Sequence, residues 1–127
     1  MTYDDGEFDF VTMFDCLHDM GDPVGVAAHV KEKLADEGVW MSVEPFANDR
    51  IEENLTPVGR AFYSASTMLC TPNALNQHGD HARGAQAGEA VMREVVTGRY
   101  SLFLGRWVPP DRDEPMVKTD LWQCSIG

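Results

Sequence analysis

The chain has 127 residues, of which 43% are hydrophobic and 24% are charged, and its formal net charge is −11. This length suits one domain, no apolar run is long enough to cross a bilayer, and the acidic N-terminus lacks the basic start of a signal peptide, which predicts a cytoplasmic protein. The first 22 residues hold seven acids and no Lys or Arg, so neither nucleic acid nor a membrane is an expected partner.

The first half of the chain carries the pattern strand, helix, strand. Residues 8–14, FDFVTMF, are aromatic and β-branched, which predicts a strand buried on both faces. A helix of about four turns follows from the Asp22-Pro23 cap, and Gly38 is expected to end it. Residues 39–44 predict a second strand. A strand, a helix and a strand within so short a stretch predict a βαβ unit with parallel strands.

The second half of the chain predicts two more helices and two more strands. In chain order these are a helix from Thr56-Pro57 to Thr71-Pro72, a polar loop over residues 72–85, a helix over Gln86–Thr97, a strand over Tyr100–Val108 and a short strand over Val117–Cys124. Gly105 is interpreted as a β-bulge. The fold class expected from these elements is α/β.

Charged side chains gather where the first two predicted strands end. Asp15, His18 and Asp19 follow the first strand, and Glu44 ends the second. Parallel neighbours bring their carboxyl ends to one rim of a sheet, where ligands bind in open α/β folds. A carboxylate beside a histidine fixes its tautomer and favours the imidazolium, as a general base requires. The spacing also allows the alternative that His18 and Asp19 only cap the turn.

The segment GEFDFVTMFDCLHDMGDPVGVAAHVKEKLADEGVWMSVEP, residues 6–45, resembles the fourth strand, following helix and fifth strand of class I S-adenosylmethionine-dependent methyltransferases. Its LHDMGD is similar to the LHDW-x-D motif of small-molecule O-methyltransferases, with Met20 in place of the tryptophan. The later stretches NLTPVGR, Ser66-Thr67 and residues 84–96 resemble bacterial methyltransferases that carry a winged-helix N-terminal region. The resemblance extends to about residue 98.

This resemblance implies a partial Rossmann-like methyltransferase fold and methyl transfer from S-adenosyl-L-methionine to a small-molecule acceptor, most simply a hydroxyl. His18 matches the general base of the O-methyltransferases. Asp19 and Glu44 match acids that orient this base. Phe14 and Asp15 occupy the position beside the methionine part of the cofactor.

The resemblance also implies that parts of the fold lie outside this sequence. Neither the family's Gly-rich loop nor its ribose-binding acid has a match within residues 1–127. Residues 1–98 are therefore interpreted as the C-terminal part of a methyltransferase domain, and residues 99–127 as a divergent segment that can form strands. A chain of this kind is expected to bind the cofactor weakly and to associate with a second copy or with a missing N-terminal half. The alternative is a non-catalytic remnant that acts through protein–protein association.

A weaker motif, HGDHARG at residues 78–84, is similar to part of the metal box of metallo-β-lactamase-like hydrolases. The first histidine of that box is missing, because Asn76 stands in its place, so a solvated loop and a protein without specific zinc are expected, and a metallohydrolase is the weakest alternative. The cysteines Cys16, Cys70 and Cys124 form no C-x-x-C pair, and Cys16 is interpreted as a small hydrophobic residue.

Overall fold

The computed structural model of the chain describes residues 6–79, 81–97, 102–107 and 119–126, with side chains described in the first two of these ranges. The elements are β1 (Phe8–Phe14), α1 (Pro23–Lys33), β2 (Leu34–Pro45), α2 (Pro57–Ala65), α3 (Thr71–Leu75), α4 (Glu89–Thr97), β3 (Leu102–Trp107) and β4 (Thr119–Ile126). Over these ranges, none of the helices combines the length and the hydropathy that a membrane-spanning helix needs.

The strands form one four-stranded sheet in the order β1-β2-β4-β3. β1 and β2 are parallel, with Phe14 opposite Val43, and α1 connects them, which confirms the predicted βαβ unit and the α/β class. β4 pairs antiparallel with both β2 and β3. The pairing of β3 with β4 is regular through Gly105, so the predicted bulge at this residue is wrong.

The hydrophobic core lies where α1 and α4 pack against one face of the β1–β2 pair. Val11 and Met13 of β1 contact this core from the sheet side. The buried members of the core are Leu17, Ala27, Val30, Leu34, Trp40, Met92, Val95 and Val96. Full burial of a large aliphatic side chain stabilises a fold by about 1.5–3 kcal/mol, so this cluster holds the strand ends in place.

The prediction that β1 is buried on both faces is wrong for this chain. β1 is an edge strand of the sheet, and only its alternate residues Val11 and Met13 face the helices. Phe8, Phe10 and Phe14, which share the other face, are 39%, 57% and 60% exposed. The sequence pattern of a doubly buried strand is present, but the described elements cover one face of it.

Helix α1 ends at Lys33, five residues before the predicted end at Gly38, and β2 begins at once. The register of β1 with β2 shifts between Phe8 and Phe10, so β2 takes up extra residues before Val39. A side chain at position 38 would lie 2.9 Å from the backbone oxygens of Ala35 and Phe8. Gly38 is therefore required by close backbone packing in an irregular strand and does not act as a helix cap.

The helix that begins at Thr56-Pro57 does not end at Thr71-Pro72. It runs through a π turn at Ser66–Cys70 into α3, which continues to Leu75. The Thr71 amide donates to the Ser66 carbonyl in this wider turn. Such a turn lets the helix continue through Pro72, which has no N–H to donate. The predicted polar loop therefore starts after residue 75.

The last described helix, α4, begins at Glu89, three residues later than predicted. Its first turn is stabilised from a distant loop, since the Asp49 carboxylate accepts a hydrogen bond of 2.7 Å from the Ala90 amide. An acidic side chain at this end satisfies a free amide and complements the helix dipole.

Candidate functional site

His18 and Glu44 form a buried pair at the carboxyl ends of β1 and β2. His18 lies in a short 3₁₀ turn at Leu17–Asp19, directly after β1, and Glu44 is the penultimate residue of β2. Their side chains are 5% and 3% exposed, and His18 Nδ1 lies 2.5 Å from Glu44 Oε2. A charge-assisted hydrogen bond of this length between buried groups fixes the orientation of the imidazole ring.

The second oxygen of Glu44 holds the turn that carries the histidine. Glu44 Oε1 accepts hydrogen bonds from the amides of Leu17 and Cys16, at 2.9 and 3.3 Å, and from Ser42 Oγ at 3.4 Å. One carboxylate thus ties the end of β1 to the end of β2. Parallel pairing dictates this meeting, because the ends of neighbouring parallel strands lie at the same edge.

Asp15 and Asp19 complete the group of three carboxylates that the sequence predicts around His18. Asp19 Oδ1 lies 3.1 Å from His18 Nε2, and Asp15 Oδ1 lies 4.0 Å from His18 Nδ1. Asp19 is 36% exposed and Asp15 is 75% exposed. The structure therefore brings all four predicted side chains together, with the two aspartates on the solvent side of a buried pair.

The surroundings of His18 act on its pKa in opposite directions. Burial lowers it, while the hydrogen bond to Glu44 and then the charges of Glu44, Asp19 and Asp15 raise it, and the net result is a pKa above the ordinary value of 6.5. The carboxylates therefore favour the imidazolium form. A group with these properties is able to accept a proton and keep it.

Phe14 and Asp15, the residues assigned to the cofactor by resemblance, lie at the open end of β1. The Phe14 side chain is 60% exposed. Asp15 has a left-handed backbone conformation, φ 52°, and its amide donates to the Val43 carbonyl at 2.7 Å. Positive φ is uncommon for a non-glycine residue, and here it turns the chain sharply away from the sheet after the last strand residue.

The far end of the helical segment 57–75 is hydrogen-bonded to the loop that follows His18. Gln77 Nε2 donates to the Asp19 carbonyl and Gln77 Oε1 accepts from the Gly21 amide, both at 3.0 Å. Asn73 Nδ2 also donates to the Asp19 carbonyl, at 3.3 Å. Gln77 therefore bridges the backbone on both sides of Met20 and holds the histidine turn from outside the βαβ unit.

The two cysteines with described side chains differ in their surroundings. Burial, followed by the charge of Glu44, raises the pKa of the Cys16 thiol, which agrees with its interpretation as an unreactive residue. Burial and a hydrogen bond to Asp19 raise the pKa of Cys70 to about 11. Cys70 belongs to the π turn and thus reaches the predicted site from the helical segment.

Among its described residues, the HGDHARG loop contributes a backbone hydrogen bond to the surroundings of this site. The His81 amide donates to the Gly21 carbonyl at 3.2 Å, and His78 is exposed. Asp80, which the predicted metal box includes, lies outside the described residues.

Neither a protein-family model nor a curated protein sequence matches the chain. Solved structures do match. The crystal structure of TnmH is similar over 97% of this chain and 32% of its own, with a TM-score of 0.68 and 16% identity. An O-methyltransferase family protein from Burkholderia thailandensis matches 96% of this chain and 31% of its own, with a TM-score of 0.61 and 17% identity. Methyltransferase CalO6 covers 98% of this chain and 37% of its own, at 20% identity and a TM-score of 0.58.

The chain has a methyltransferase-like fold. It spans about a third of the length of the solved structures that it matches. Within this fold the βαβ unit at residues 8–45 carries the histidine and its carboxylates, and the antiparallel strands β3 and β4 extend the sheet beyond β2.

Reasoning from the sequence missed Asn73, Gln77 and Cys70 as neighbours of the histidine in this methyltransferase-like fold. Gln77 is 58 residues from Asp19 in the chain, and nothing in the spacing of either segment indicates the contact. A weak signal exists in Gly21 and Gly79. A side chain on either glycine would collide with backbone of the other segment, and Gly79 is left-handed with φ 152°.

Proposed function

We propose that this chain supplies the general-base side of an S-adenosylmethionine-dependent O-methyltransferase that acts on a small hydroxyl-bearing acceptor. The observation that carries the proposal is the buried His18–Glu44 pair at the carboxyl ends of two parallel strands. The methyltransferase-like fold supports it. The LHDMGD motif adds to this support, since it resembles the motif of small-molecule O-methyltransferases in which the histidine matching His18 is the general base.

The pair has the geometry of an oriented base. Glu44 accepts a hydrogen bond from the Nδ1–H of His18, which leaves the lone pair on Nε2 to take a proton from an acceptor hydroxyl. The Asp19 carboxylate, 3.1 Å from Nε2, then accepts a hydrogen bond from the new Nε2–H and stabilises the imidazolium. Of the two carboxylates in contact with the ring, that of Asp19 is the more exposed, so the acceptor approaches the ring from the side on which Asp19 lies.

The end of β1 fits one part of the cofactor. S-adenosylmethionine supplies an electrophilic methyl group on a sulfonium cation. The exposed ring of Phe14 and the exposed carboxylate of Asp15 present a π-face and a negative charge at the edge where His18 lies, and both favour a cation. The rest of the cofactor is expected to bind to a Gly-rich loop that this sequence does not contain.

The test compares His18 with a histidine remote from the site. We expect His18→Gln to lower the rate of methyl transfer by about 10²–10⁴, because one general base is lost. His29, which is 65% exposed, provides the control, and the rate of methyl transfer by His29→Gln should stay close to that of the unchanged chain. The assay uses the chain combined with a methyltransferase segment that carries the Gly-rich loop. Calorimetry of cofactor binding and circular dichroism check that the variant still binds and folds. A His18→Gln rate equal to that of His29→Gln contradicts the base role.

A second candidate function, association with another polypeptide, is favoured by the exposed edge of β1. Phe8, Phe10 and Phe14 form an apolar row on a strand whose outer edge pairs with no described residue, and unpaired apolar edges invite strand addition. We propose that the occupant is a further methyltransferase segment, whether on the same polypeptide or on another. A net charge of −11 disfavours a second copy of this acidic chain.

Light scattering on a sizing column tests the association. The chain should form a heterodimer when mixed with an N-terminal methyltransferase segment, and Phe10→Ser should abolish it. Val58→Ser, on an exposed residue of α2, is the control. A homodimer, or a monomer that ignores the added segment, refutes this choice of occupant.

A further inference from the structure

The side chains of His18, Asp19 and Cys70 offer a nitrogen, an oxygen and a sulfur ligand atom within 4.8 Å of one another. They come from two distant parts of the chain, the turn after β1 and the π turn ahead of α3. Imidazole, carboxylate and thiolate are the ligand types that bind zinc. We propose that these three residues form a binding site for a thiophilic divalent cation such as zinc, with a fourth position left for water or another ligand.

The tautomer of His18 suits this role. Glu44 occupies Nδ1, so the ring turns Nε2 towards Asp19, whose carboxylate lies near the Cys70 thiol. A metal-binding histidine typically donates its other ring N–H to a carboxylate, which fixes the ring and raises its basicity as a ligand. Glu44 is itself held by the Leu17 and Cys16 amides, so this supporting carboxylate is already in position.

Asp19 provides an independent observation. Its Oδ1 atom is buried and has no hydrogen-bond partner among the described residues unless His18 Nε2, which lies 3.1 Å away, carries a proton. The Cys70 thiol also hydrogen-bonds to the Asp19 carboxylate. When Nδ1 carries the only ring proton, a lone pair on Nε2 meets a carboxylate oxygen at this distance. Two acceptors in contact need a cation between them, and a proton on Nε2 or a metal ion supplies it.

The distances between the ligand atoms can be compared with those of a zinc site. In a tetrahedral zinc site with ordinary bond lengths, neighbouring ligand atoms lie about 3.3–3.6 Å apart. The separation of 3.1 Å between His18 Nε2 and Asp19 Oδ1 is already close to this size, and the Cys70 sulfur belongs to a set of ligand atoms that lie within 4.8 Å of one another. Binding releases the Cys70 proton to solvent as the thiolate forms its bond to the metal.

A second cluster, formed by Asp15, His18 and Glu44, is less suited to a metal ion. It requires Nδ1, which Glu44 occupies at 2.5 Å, and Asp15 is 75% exposed. The site that includes Cys70 leaves the His18–Glu44 hydrogen bond intact. It departs from the sequence-based expectation that the protein holds no specific zinc, which rests on the incomplete motif at residues 78–84. It does not depend on methyl transfer, and a metal ion at Nε2 would occupy the lone pair that the proposed general base uses.

Cadmium titration of the chain tests this site, because cadmium bound to a thiolate gives an ultraviolet charge-transfer band. We expect a stoichiometric band that is lost in Cys70→Ser and kept when Cys16→Ser and Cys124→Ser are combined, which leaves Cys70 as the only thiol. Zinc, in competition with a chromophoric chelator, should bind at least about tenfold more weakly to Cys70→Ser.

A measurement on the unchanged chain covers the case in which a variant fails to fold. Zinc should shift the NMR resonance of His18 Nε2 and leave that of His29 in place. Absence of the charge-transfer band, its persistence in Cys70→Ser, or zinc saturation without a change at His18 Nε2 overturns the proposal. Methyl-transfer activity enters none of these readouts, so a failure of the site and a failure of the proposed function are distinguishable.

Discussion

Replacement of Glu44 by glutamine is the sharpest test of the buried pair. The amide has the shape of the carboxylate, so its oxygen can still accept from the Leu17 amide, at 2.9 Å in the unchanged chain. It carries no charge, and its NH₂ group faces His18 Nδ1, which must then become an acceptor. The substitution therefore removes one charged hydrogen bond and reverses the tautomer with little change in volume.

The expected loss of stability follows from the burial of both groups. A hydrogen bond to a charged group contributes about 1.5–3 kcal/mol, and neither partner is more than 5% exposed, so we expect Glu44→Gln to lower the free energy of unfolding by about this amount. Glu44→Ala leaves His18 buried without its partner and should cost about 3–5 kcal/mol.

The effect should depend on pH in a definite direction. The pKa of His18 is raised in the folded chain, so the stabilisation that it provides is present in full below its unfolded value of 6.5 and is lost as pH rises through the folded pKa. In Glu44→Gln, burial is left opposed mainly by the more exposed Asp19 and Asp15, and the pKa falls. The difference in stability between the two proteins should therefore be largest at low pH and shrink as pH rises.

Urea unfolding between about pH 5 and pH 9, with NMR of the His18 ring, measures both quantities. Glu52→Gln, on a side chain that is 73% exposed, is the control and should change stability by no more than about 0.5 kcal/mol. A stability difference that is the same at all pH values would show that Glu44 acts through packing and backbone hydrogen bonds alone, and would refute the ion-pair argument.

Three further predictions concern the surroundings of the pair. Gln77→Ala removes two hydrogen bonds to the loop after His18 and should cost about 1–2 kcal/mol in urea unfolding; an unchanged midpoint would mean that this contact does not form. Asp49→Ala should cost about 1 kcal/mol and increase amide exchange in the first turn of α4, an effect that Asp49→Asn should largely avoid. The chain alone should show weak or undetectable binding of S-adenosylmethionine by calorimetry, and micromolar affinity would contradict its interpretation as part of a larger domain.

The sequence predicts the part of the site that depends on local order. Asp15, His18 and Asp19 follow one strand and Glu44 ends its parallel neighbour, so their meeting follows from strand direction alone. Gln77 could not be predicted in this way, because its contact depends on where a separate helix ends, and that end was misjudged at Pro72.

Two errors in the fold have related physical causes. The apolar composition of β1 predicts that both faces of the strand are buried. Composition shows that a strand is able to pack against apolar neighbours, but it does not show whether this chain contains elements that cover both faces. Gly38 has the signature of a helix C-cap, yet it serves a close approach of the chain at position 38 to the backbone of Ala35 and Phe8 in an irregular strand. Glycine satisfies both needs through the absence of a side chain, so the sequence alone does not distinguish them.

The π turn at Ser66–Cys70 sets the rotation, about the helix axis, of the last turn of the helical segment 57–75 relative to its first turn. Its first turn is fixed by the Thr56 cap, and its last by the hydrogen bond from Asn73 to the Asp19 carbonyl. A π turn contains one residue more than an α turn. If the same residues formed an uninterrupted α-helix, the end of the segment would be rotated by about 100° about the helix axis and displaced by about 1.5 Å along it, relative to its position here. Deletion of one residue inside the turn should thus keep both ends in phase, while the same deletion within α2 would rotate Asn73 away from the histidine turn. The segment therefore tolerates a change of length at one place only, and that place also contains Cys70.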